Sequence, residues 1–337
     1  MKVFLIGGTG LLGSEAARVL MSRGHQVSSL ALPPIPKGAD LPGGMKLSFG
    51  NYLTLTDDQL REHLRGCDGF VFAAGVDERV EGPAPIYDLY EKFNIQPLER
   101  MLRLAKEEGV NHAVVCGSYF AYFNKVKPEL HLAEDHPYIR SRMVQEEMAL
   151  SFAKEGMDVA VLELPYIFGA QQGRKPVWVF LVEMIKKMKK TTYWCQGGTA
   201  MVTVRQVGEA IAGALENNVG GKTYPIGWFN LTWSEMLKLF HKHMGEENKK
   251  IRIIPTWIFK MAMKKVEKEQ RAKGIDGGLK MVKFTEAMTS QFFIEKELGC
   301  LDLGVTYDDI DAAIGSSVQL SLEALEKKTD MVAMKGE

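Results

Sequence analysis

A glycine-rich segment near the start of the chain, Gly7-Gly8-Thr9-Gly10-Leu11-Leu12-Gly13, constrains the fold more than any other feature. It follows a short apolar run, Lys2-Val3-Phe4-Leu5-Ile6, and leads into a helical pattern. In such a strand–turn–helix unit, Gly7 permits a tight turn, Gly10 lets the backbone approach a pyrophosphate, and Gly13 lets the helix pack closely on the strand. The first N–H groups of the helix would then bind the anion. The pattern therefore predicts a dinucleotide bound at this turn.

The composition bounds the class of protein and its partners. The chain has 337 residues, of which 46% are hydrophobic, enough for one large domain or two smaller ones. Lysine plus arginine and aspartate plus glutamate both total 42, so the formal net charge is zero. Because no global field favours nucleic acid or an anionic membrane, we expect neither as a partner.

Cysteine spacing and hydropathy narrow the class further. Cys67, Cys116, Cys195 and Cys300 lie far apart in the sequence, and none has a nearby cysteine or histidine at metal-ligand spacing. Neither a metal site nor a disulfide framework is therefore predicted. No run of about 18 apolar residues is present, and a cytoplasmic location is the expectation.

Strand-like runs alternate with helical patterns along the first half of the chain. The runs are almost continuously apolar, which is typical of a parallel sheet covered by helices on both faces. The sequence therefore predicts an α/β fold with a Rossmann-type doubly wound parallel sheet and a ligand beyond the carboxyl ends of its strands. The predicted strands lie at 2–6, 27–30, 46–49, 70–74, 113–116 and 159–162, and the helices near 11–23, 57–65, 86–108, 138–155 and 176–189.

After about residue 170 this alternation loosens. The pattern there predicts a strand at 223–226 and helices near 205–217, 232–244 and 256–271. We expect residues 1–169 to form the dinucleotide-binding Rossmann domain, with residues 199–227 returning to it. Residues 170–198 and 228–337 then form a smaller, partly interleaved C-terminal substrate lobe, whose tail at 327–337 is expected to be frayed.

A serine, a tyrosine and an arginine form a candidate catalytic set. Ser118 follows the predicted strand at 113–116, and Tyr138 and Arg142 lie four residues apart at the start of a predicted helix. That spacing puts both side chains on one helix face, where the guanidinium would lower the pKa of Tyr138. A general acid or base near neutral pH needs such a shift, and Ser118 could hydrogen-bond a substrate oxygen. In the structural alternative, Tyr138 caps a core and Arg142 pairs with Glu146.

Together these motifs resemble the extended short-chain dehydrogenase/reductases, also called the NAD-dependent epimerase/dehydratase family. The resemblance covers most of the chain and includes the glycine turn, a strand end, a helix asparagine, the serine and tyrosine motifs and a segment that closes over the nicotinamide. It rests on the glycine turn, Ala73-Ala74-Gly75, Asn94, Ser118 with Tyr122 after it, Glu134, Tyr138 with Arg142, Leu164-Pro165-Tyr166-Ile167-Phe168-Gly169 and Glu297-Leu298-Gly299.

The resemblance implies roles for individual residues. It implies that Ser118, Tyr138 and Arg142 are catalytic, and that the chain forms a homodimer through the helices near 86–108 and 138–155. The coenzyme-binding residues that it implies are Gly7, Thr9, Gly10, Leu11, Leu12, Gly13, Ala31, Asn51, Tyr52, Ala73, Ala74, Gly75, Asn94, Tyr138, Arg142, Pro165 and Ile167.

One departure from the family pattern concerns the catalytic tyrosine motif. The family's Tyr-x-x-x-Lys is matched by Tyr138 and Arg142. An arginine can hold the nicotinamide ribose and bias the tyrosine. A guanidinium is not deprotonated under ordinary conditions, so a proton relay that needs a lysine amine lacks its group.

Another departure concerns the adenosine end of the coenzyme. Members of the family that prefer NAD carry an acidic residue at the end of the second strand, where this chain has Ala31. Without a carboxylate to repel a 2′-phosphate, NADP is favoured over NAD, and Lys37 is the candidate to hold that phosphate. Asn51 matches the family's adenine-binding aspartate, and its side-chain amide can still hydrogen-bond the base.

The substrate lobe departs as well. Nucleotide-sugar enzymes of the family bind the diphosphate with an arginine, and the matching stretch, Gly198-Thr199-Ala200-Met201-Val202, has none. The candidate substrate-binding residues are aromatic and favour an apolar or aromatic carbonyl compound, although aromatic residues at these spacings also build cores. The leading candidates are Tyr119, Tyr166, Trp178 and Trp194, followed by Phe120, Tyr193 and Trp228.

The leading functional hypothesis is an oxidoreductase that transfers a hydride between NADP, or NAD, and a small, rather apolar carbonyl or alcohol. Tyr138 would give or take the proton, Ser118 would orient the substrate oxygen and Arg142 would hold the ribose. A nucleotide-sugar epimerase or dehydratase is the first alternative. A non-catalytic NADP(H)-binding regulatory protein, suggested by Arg142, is the second.

Overall fold

The computed structural model describes residues 1–35, 38–326 and 331–332. The strands are β1 (Lys2–Ile6), β2 (Gln26–Ala31), β3 (Lys46–Phe49), β4 (Gly69–Phe72), β5 (Glu81–Pro83), β6 (His112–Cys116), β7 (Asp158–Glu163), β8 (Tyr166–Phe168), β9 (Thr191–Trp194), β10 (Gly198–Thr203), β11 (Gly221–Pro225), β12 (Phe229–Thr232), β13 (Lys250–Ile253), β14 (Ile275–Gly277) and β15 (Gln291–Phe292). The α-helices are α1 (Leu11–Ser22), α2 (Asp57–Leu64), α3 (Tyr87–Tyr90), α4 (Gln96–Glu107), α5 (Tyr119–Val126), α6 (Leu132–Asp135), α7 (Pro137–Ser151), α8 (Val179–Lys187), α9 (Val204–Asn217), α10 (Trp233–His243), α11 (Thr256–Ala272), α12 (Met281–Thr289) and α13 (Ile310–Leu325).

A seven-stranded parallel sheet in the order β11-β7-β6-β4-β1-β2-β3 forms the centre of the molecule. Its inner strands are the apolar runs of the sequence, and Phe4, Leu5, Phe70, Val71 and Phe72 are completely buried. Strands buried on both faces read as continuous apolar runs, which explains why the pattern was visible in the sequence. The predicted Rossmann-type α/β fold is confirmed.

Helices cover both faces of this sheet. On one face, α1 and α9 pack together and bury Ala17, Leu20 and Ile211 against strand side chains such as Val71. On the other face, α2, α4 and α7 form a second core that includes Leu60, Leu98 and Ala149. The two cores account for the doubly wound arrangement.

The predicted helix near 86–108 is interrupted. The chain forms α3, then a single π-helical stretch at Glu91–Ile95, and then α4. A π-turn leaves backbone carbonyls without their usual helical partners, and such turns are frequent at functional sites. In this stretch the carbonyl of Asn94 accepts a hydrogen bond from the side chain of Gln145 at 2.7 Å.

A smaller lobe lies beyond the main sheet. Strands β12, β10 and β15 form its sheet, with β8 paired to β10, and the ribbons β13-β9 and β14-β5 flank it. In the segment predicted to return to the Rossmann domain, β11 pairs with β7 in the main sheet, whereas β10 belongs to the small sheet. The proposed domain boundaries remain a prediction.

The carboxyl ends of β1 and β4 meet where the order of the main sheet reverses. The glycine turn follows β1, and Ala73-Ala74-Gly75 follows β4. The two segments touch, because a Cβ atom built on Gly7 would lie 2.4 Å from the carbonyl oxygen of Ala73. Ligands of doubly wound sheets bind at such a switch point, so the fold places a site here.

Part of the C-terminal tail is tied to the protein. Val332 donates its N–H to the carbonyl of Gly173 at 2.9 Å and accepts from the N–H of Lys175 at 3.1 Å. The expectation of a frayed tail is therefore wrong at Val332. The remaining tail residues, 327–330 and 333–337, and the phosphate candidate Lys37 lie outside the described residues. No helix within the described ranges is both long enough and apolar enough to cross a membrane.

Candidate active site

The glycine turn has the geometry that a pyrophosphate requires. Gly7 has a φ of +95°, and its carbonyl accepts the N–H of Gly10 at 2.8 Å. A Cβ atom on Gly13 would lie only 2.2 Å from the carbonyl oxygen of Gly7, so α1 starts directly against the turn. No side chain caps the N-terminus of α1, whose first N–H groups are left for an anion. Thr9, Leu11 and Leu12 complete the turn, and the residues present fit a dinucleotide.

A buried serine beneath the turn was not anticipated from the sequence. The Ser29 hydroxyl on β2 accepts the N–H of Gly8 at 3.2 Å and donates to the carbonyl of Leu5 at 2.7 Å. It therefore links the turn to the strand before it. In the sequence it is one of two adjacent serines between the apolar residues Val27 and Leu30.

The predicted adenosine-binding residues lie beyond β2 and β3. Ala31 ends β2, and its carbonyl accepts the N–H of Gly50 at 3.0 Å. The side-chain oxygen of Asn51 accepts the N–H of Leu53 at 3.0 Å, so the side-chain amide group is the part left for a base. The neighbouring Tyr52 is largely buried, and burial raises the pKa of its phenol to about 12.

Asn94 holds the segment that follows β4. Its side-chain oxygen accepts the N–H of Val76 at 2.8 Å, and its amide donates to the carbonyl of Val76 at 3.0 Å. Gly75, which has a φ of +127°, passes so close that a Cβ atom there would lie 2.5 Å from the Asn94 oxygen. Asn94 thus fixes the chain beside Ala73 and Ala74, and both ends of its amide are used within the protein.

The fold brings Ser118, Tyr138 and Arg142 together. Ser118 is the N-cap of α5, and its hydroxyl accepts the N–H of Phe120 at 3.4 Å. Tyr138 lies in the first turn of α7 and is only 4% exposed. Its hydroxyl lies close enough to Ser118 and to the Arg142 guanidinium for both groups to lower its pKa. The Arg142 guanidinium also lies 5.1 Å from the centroid of the Tyr138 ring. One helical turn separates the two side chains, as the sequence predicts.

The pKa of Tyr138 moves in the direction opposite to the one expected. Burial raises it above the ordinary tyrosine value, and the nearby carboxylate of Glu78 raises it further. Arg142 and Ser118 lower it, as expected of a cation and a hydroxyl, but burial outweighs them. In the protein alone, Tyr138 is therefore a neutral phenol that is ready to donate a proton.

Arg142 is itself fixed by a buried network. Its Nη1 donates to the Gln145 side-chain oxygen at 2.7 Å, and its Nη2 donates to the carbonyl of Val76 at 3.3 Å. Its buried Nε has no hydrogen-bond partner among the described residues. The expected alternative pairing with Glu146 is wrong, because Glu146 pairs with Lys125 at 2.9 Å.

Glu78 is a functional candidate that the sequence analysis missed. It lies in the loop after β4, and burial, followed by the neighbouring Asp77, raises the pKa of its carboxyl. Arg79 is bound to Asp77 and donates to the carbonyl of Val177 at 2.9 Å, which leaves Glu78 without an ion-pair partner in the described chain. Its charge acts on Tyr138 and on other tyrosines of the site. The signal in the sequence was the charged triplet Asp77-Glu78-Arg79, separated by four residues from the buried strand β4.

A small cavity lined mainly by aromatic residues lies near Tyr138. Its wall comes from both lobes, and the ring of Phe120 joins it to the site, with its centroid 6.4 Å from that of Tyr138. None of the lining residues is charged. The lining residues are Tyr119, Phe120, Tyr166, Gly198, Thr199, Trp233, Phe284, Ala287, Met288 and Phe292.

The candidate substrate-binding residues separate into two groups. Tyr119 and Tyr166 line the cavity, with their ring centroids 6.2 Å apart. Trp178 lies behind Tyr166, stacks on Phe168 with a centroid distance of 4.5 Å, and belongs to a separate core. Its indole N–H donates to the carbonyl of Ile167 at 2.9 Å, in the strand after Pro165.

Other predicted aromatic residues lie outside the cavity lining. Trp194 and Tyr193 lie on β9, and the Trp194 indole nitrogen is buried without a hydrogen-bond partner in the described chain. Lys296 lies over the ring of Trp228. The expected wall is instead completed by Trp233, Phe284 and Phe292, from elements that sequence analysis either did not connect to the site or did not predict.

Comparison with known proteins places the chain in a family. Residues 3–227 match the profile of the NAD dependent epimerase/dehydratase family. Because that match spans most of the chain, the protein belongs to this family.

Individual relatives are distant. The chain is 24% identical over 237 residues to a 4-hydroxy-2-methyl-3-oxo-4-farnesyl-3,4-dihydroquinoline-1-oxide ketoreductase of Stigmatella aurantiaca, which covers 66% of this chain and 67% of the relative. The fold of the present chain is similar to that of gox2253, with a TM-score of 0.73, 19% identity and coverage of 98% of this chain and 99% of gox2253. It is also similar to DesIV, a dTDP-glucose 4,6-dehydratase from Streptomyces venezuelae solved with NAD, with a TM-score of 0.67, 16% identity and coverage of 97% and 98%.

Proposed function

We propose that this protein is a carbonyl reductase or alcohol dehydrogenase that uses a nicotinamide coenzyme and acts on a small, apolar or aromatic substrate. The observation that carries the proposal is the buried set of Ser118, Tyr138 and Arg142 beside an uncharged aromatic cavity. The ketoreductase named above, a distant relative, supports the same reaction class.

Each side chain has a separate task in carbonyl reduction. When bound, the nicotinamide coenzyme supplies the hydride to the carbonyl carbon. Tyr138 donates its phenolic proton to the carbonyl oxygen, which becomes the alcohol. Ser118 donates a hydrogen bond to the same oxygen and orients it, and Arg142 stabilises the phenolate that remains on Tyr138. In alcohol oxidation, Tyr138 takes the proton back.

The cavity favours an apolar substrate over a sugar nucleotide. A diphosphate binds most tightly to a guanidinium that forms paired hydrogen bonds with it, and no residue of the cavity lining is basic. The segment Gly198–Thr203, where nucleotide-sugar enzymes of the family carry an arginine, is a buried strand here. We therefore place the nucleotide-sugar epimerase second.

The coenzyme is NADP in preference to NAD. The position at the end of β2 that would carry a carboxylate holds Ala31, so no carboxylate there repels a 2′-phosphate. Kinetics with NADPH and NADH test this preference, and a lower KM for NADPH is expected.

The function is tested by incubating the purified protein with NADPH or NADH and aryl ketones, aliphatic aldehydes or nucleotide sugars. Loss of reduced-nicotinamide absorbance with ketones or aldehydes supports the proposal. Tightly retained NAD and interconversion of a nucleotide sugar without net coenzyme oxidation would instead identify an epimerase. Coenzyme binding without any turnover would identify a regulatory protein.

We also propose a homodimer through α4 and α7. These helices pack against each other on one face of the main sheet, and Val144 on α7 is exposed. Light scattering coupled to gel filtration should give twice the mass of the chain for the wild type. Val144→Glu should give a monomer.

A further inference from the structure

The loop between β8 and α8 covers the glycine turn. Two side chains of this loop, Gln171 and Arg174, donate hydrogen bonds to Thr9. The Gln171 amide nitrogen lies 3.1 Å from the carbonyl oxygen of Thr9, and the Nε of Arg174 lies 3.1 Å from the same oxygen. The Nη2 of Arg174 lies 2.9 Å from the Thr9 hydroxyl. A cation is thus placed on the turn where a coenzyme pyrophosphate would bind.

The charge of Arg174 is unpaired within the described ranges. Its guanidinium forms no ion pair with any carboxylate in the described part of the chain. It is partly buried, and burial lowers its pKa. The first turn of α1 carries no acidic residue, and Glu15 on that helix is paired with Arg18. Among the residues that the structure describes, the positive end of the helix dipole and a guanidinium therefore meet without a negative group, an arrangement that an anion stabilises.

Gln171 gives a second, independent indication of a missing ligand. Only 6% of its surface is exposed, and its side-chain oxygen is buried without a hydrogen-bond partner among the described residues. Buried amide oxygens are normally satisfied. This oxygen could accept a ribose hydroxyl next to the pyrophosphate.

The loop is held in place from its other side. The backbone of Gly173 and Lys175 forms hydrogen bonds with Val332, so the C-terminal segment pins the residues on either side of Arg174. A fixed backbone reduces the conformational entropy that Arg174 loses when it binds an anion.

We propose that Arg174, supported by Gln171, binds the pyrophosphate of the coenzyme and that the loop around it is a phosphate clamp. This inference rests on the proposed use of a nicotinamide coenzyme. On binding, the guanidinium exchanges the neutral oxygens of Thr9 for phosphate oxygens, to which it forms stronger, charge-assisted hydrogen bonds.

Calorimetric titration with ADP-ribose tests the clamp without any chemistry, because this probe carries the pyrophosphate but no nicotinamide. Arg174→Gln should raise the Kd for ADP-ribose about 10- to 100-fold, since a hydrogen bond to a charged group is worth about 1.5–3 kcal/mol. Arg174→Lys, which keeps the charge but loses the planar fork, should fall between this variant and the wild type. The loss in Arg174→Gln should shrink in high salt.

Lys175→Gln is the matched control, because it removes the same charge from an exposed neighbour in the same loop. Its Kd should stay within about twofold of the wild type, the range expected of a screened surface charge. Equal or tighter binding of ADP-ribose by a folded Arg174→Gln variant would overturn the clamp. It would mean that Arg174 covers the glycine turn without binding the pyrophosphate. Absence of wild-type binding would overturn it too. Tight wild-type binding without turnover of any carbonyl compound would overturn the proposed function and leave the clamp intact.

Discussion

The Arg142 guanidinium and the Tyr138 ring stand one helical turn apart, 5.1 Å between the guanidinium carbon and the ring centroid. Arg142 cannot move freely toward solvent, because Gln145 and the carbonyl of Val76 hold its two Nη atoms. It therefore acts on Tyr138 as a fixed positive charge, in place of the mobile, titratable amine of a lysine.

Removal of the Arg142 charge should impair alcohol oxidation more than carbonyl reduction. In Arg142→Met the pKa of Tyr138 should rise further, because only burial and Glu78 then act strongly on it. The rate of oxidation at neutral pH should fall about 100-fold, the scale of a general-base contribution. The limb on which the oxidation rate rises with pH reports the pKa of Tyr138, and it should move to higher pH. An unchanged limb would show that Arg142 does not act on the tyrosine.

Glu78→Gln should have the opposite effect on the same profile. The Glu78 carboxylate raises the pKa of Tyr138, so its neutralisation should lower that pKa and move the limb to lower pH. The oxidation rate at neutral pH should rise by roughly threefold if proton transfer is rate-limiting. Glu81→Gln, an exposed carboxylate on the next strand, is the control and should leave the profile in place. Arg142→Met and Glu78→Gln should therefore shift the pH profile in opposite directions. General damage to the site would instead shift both profiles in the same direction.

The buried cluster of Glu163, Lys125 and Glu146 should make stability depend on pH. Burial, together with the charge of Glu146, raises the pKa of Glu163 to about 7. The folded state holds the proton of the Glu163 carboxyl more tightly than the unfolded state does. This carboxyl therefore contributes fully to the free energy of unfolding below about pH 4.5, and its contribution is lost as the pH rises through 7. Glu163→Gln should therefore match the wild type near pH 5.

At pH 8 the Glu163→Gln variant should exceed the wild type by roughly 1–3 kcal/mol in free energy of unfolding. Lys125 keeps Glu146 as its partner in this variant, at 2.9 Å. Urea titrations at the two pH values measure the difference. A variant that is equally destabilised at both would show that Glu163 is ionised and paired throughout.

Gly13→Ala should disrupt the glycine turn. A Cβ atom there would meet backbone atoms of Gly7 at 2.2 Å, and backbone cannot yield as a side-chain end can. The folded state should lose about 2–4 kcal/mol, and ADP-ribose binding should be lost, because α1 would be pushed from the turn. Gly43→Ala, with no atom within 4 Å of its added Cβ, is the matched control. Retained binding in Gly13→Ala would contradict the assignment of this turn to the pyrophosphate.

The main sheet could be read from the sequence because its strands are buried on both faces. Runs such as Val3-Phe4-Leu5-Ile6 carry that information locally. The strand pairing of the small lobe could not be predicted in the same way. Its strands are short and pair across long chain separations, as β10 does with β15, and the sequence alone gives no register for such pairs.

The catalytic set was predictable and its electrostatics were not. Helical spacing alone places Tyr138 next to Arg142. The sign of the Tyr138 pKa shift depends on burial and on Glu78, which reaches the site through a loop from another strand. Arg174 and Gln171 were missed for the same reason, because their role arises from contact with Thr9, far away in the sequence.

Turnover and coenzyme binding, measured side by side in Tyr138→Phe, test the central claim most directly. The exposed Tyr307, 69% accessible, provides the control Tyr307→Phe with the same loss of a hydroxyl. Tyr138→Phe should lower kcat for carbonyl reduction by about 100- to 10,000-fold, because the proton donor is gone, and should leave the Kd for ADP-ribose within about threefold. Undiminished turnover in Tyr138→Phe would contradict the account.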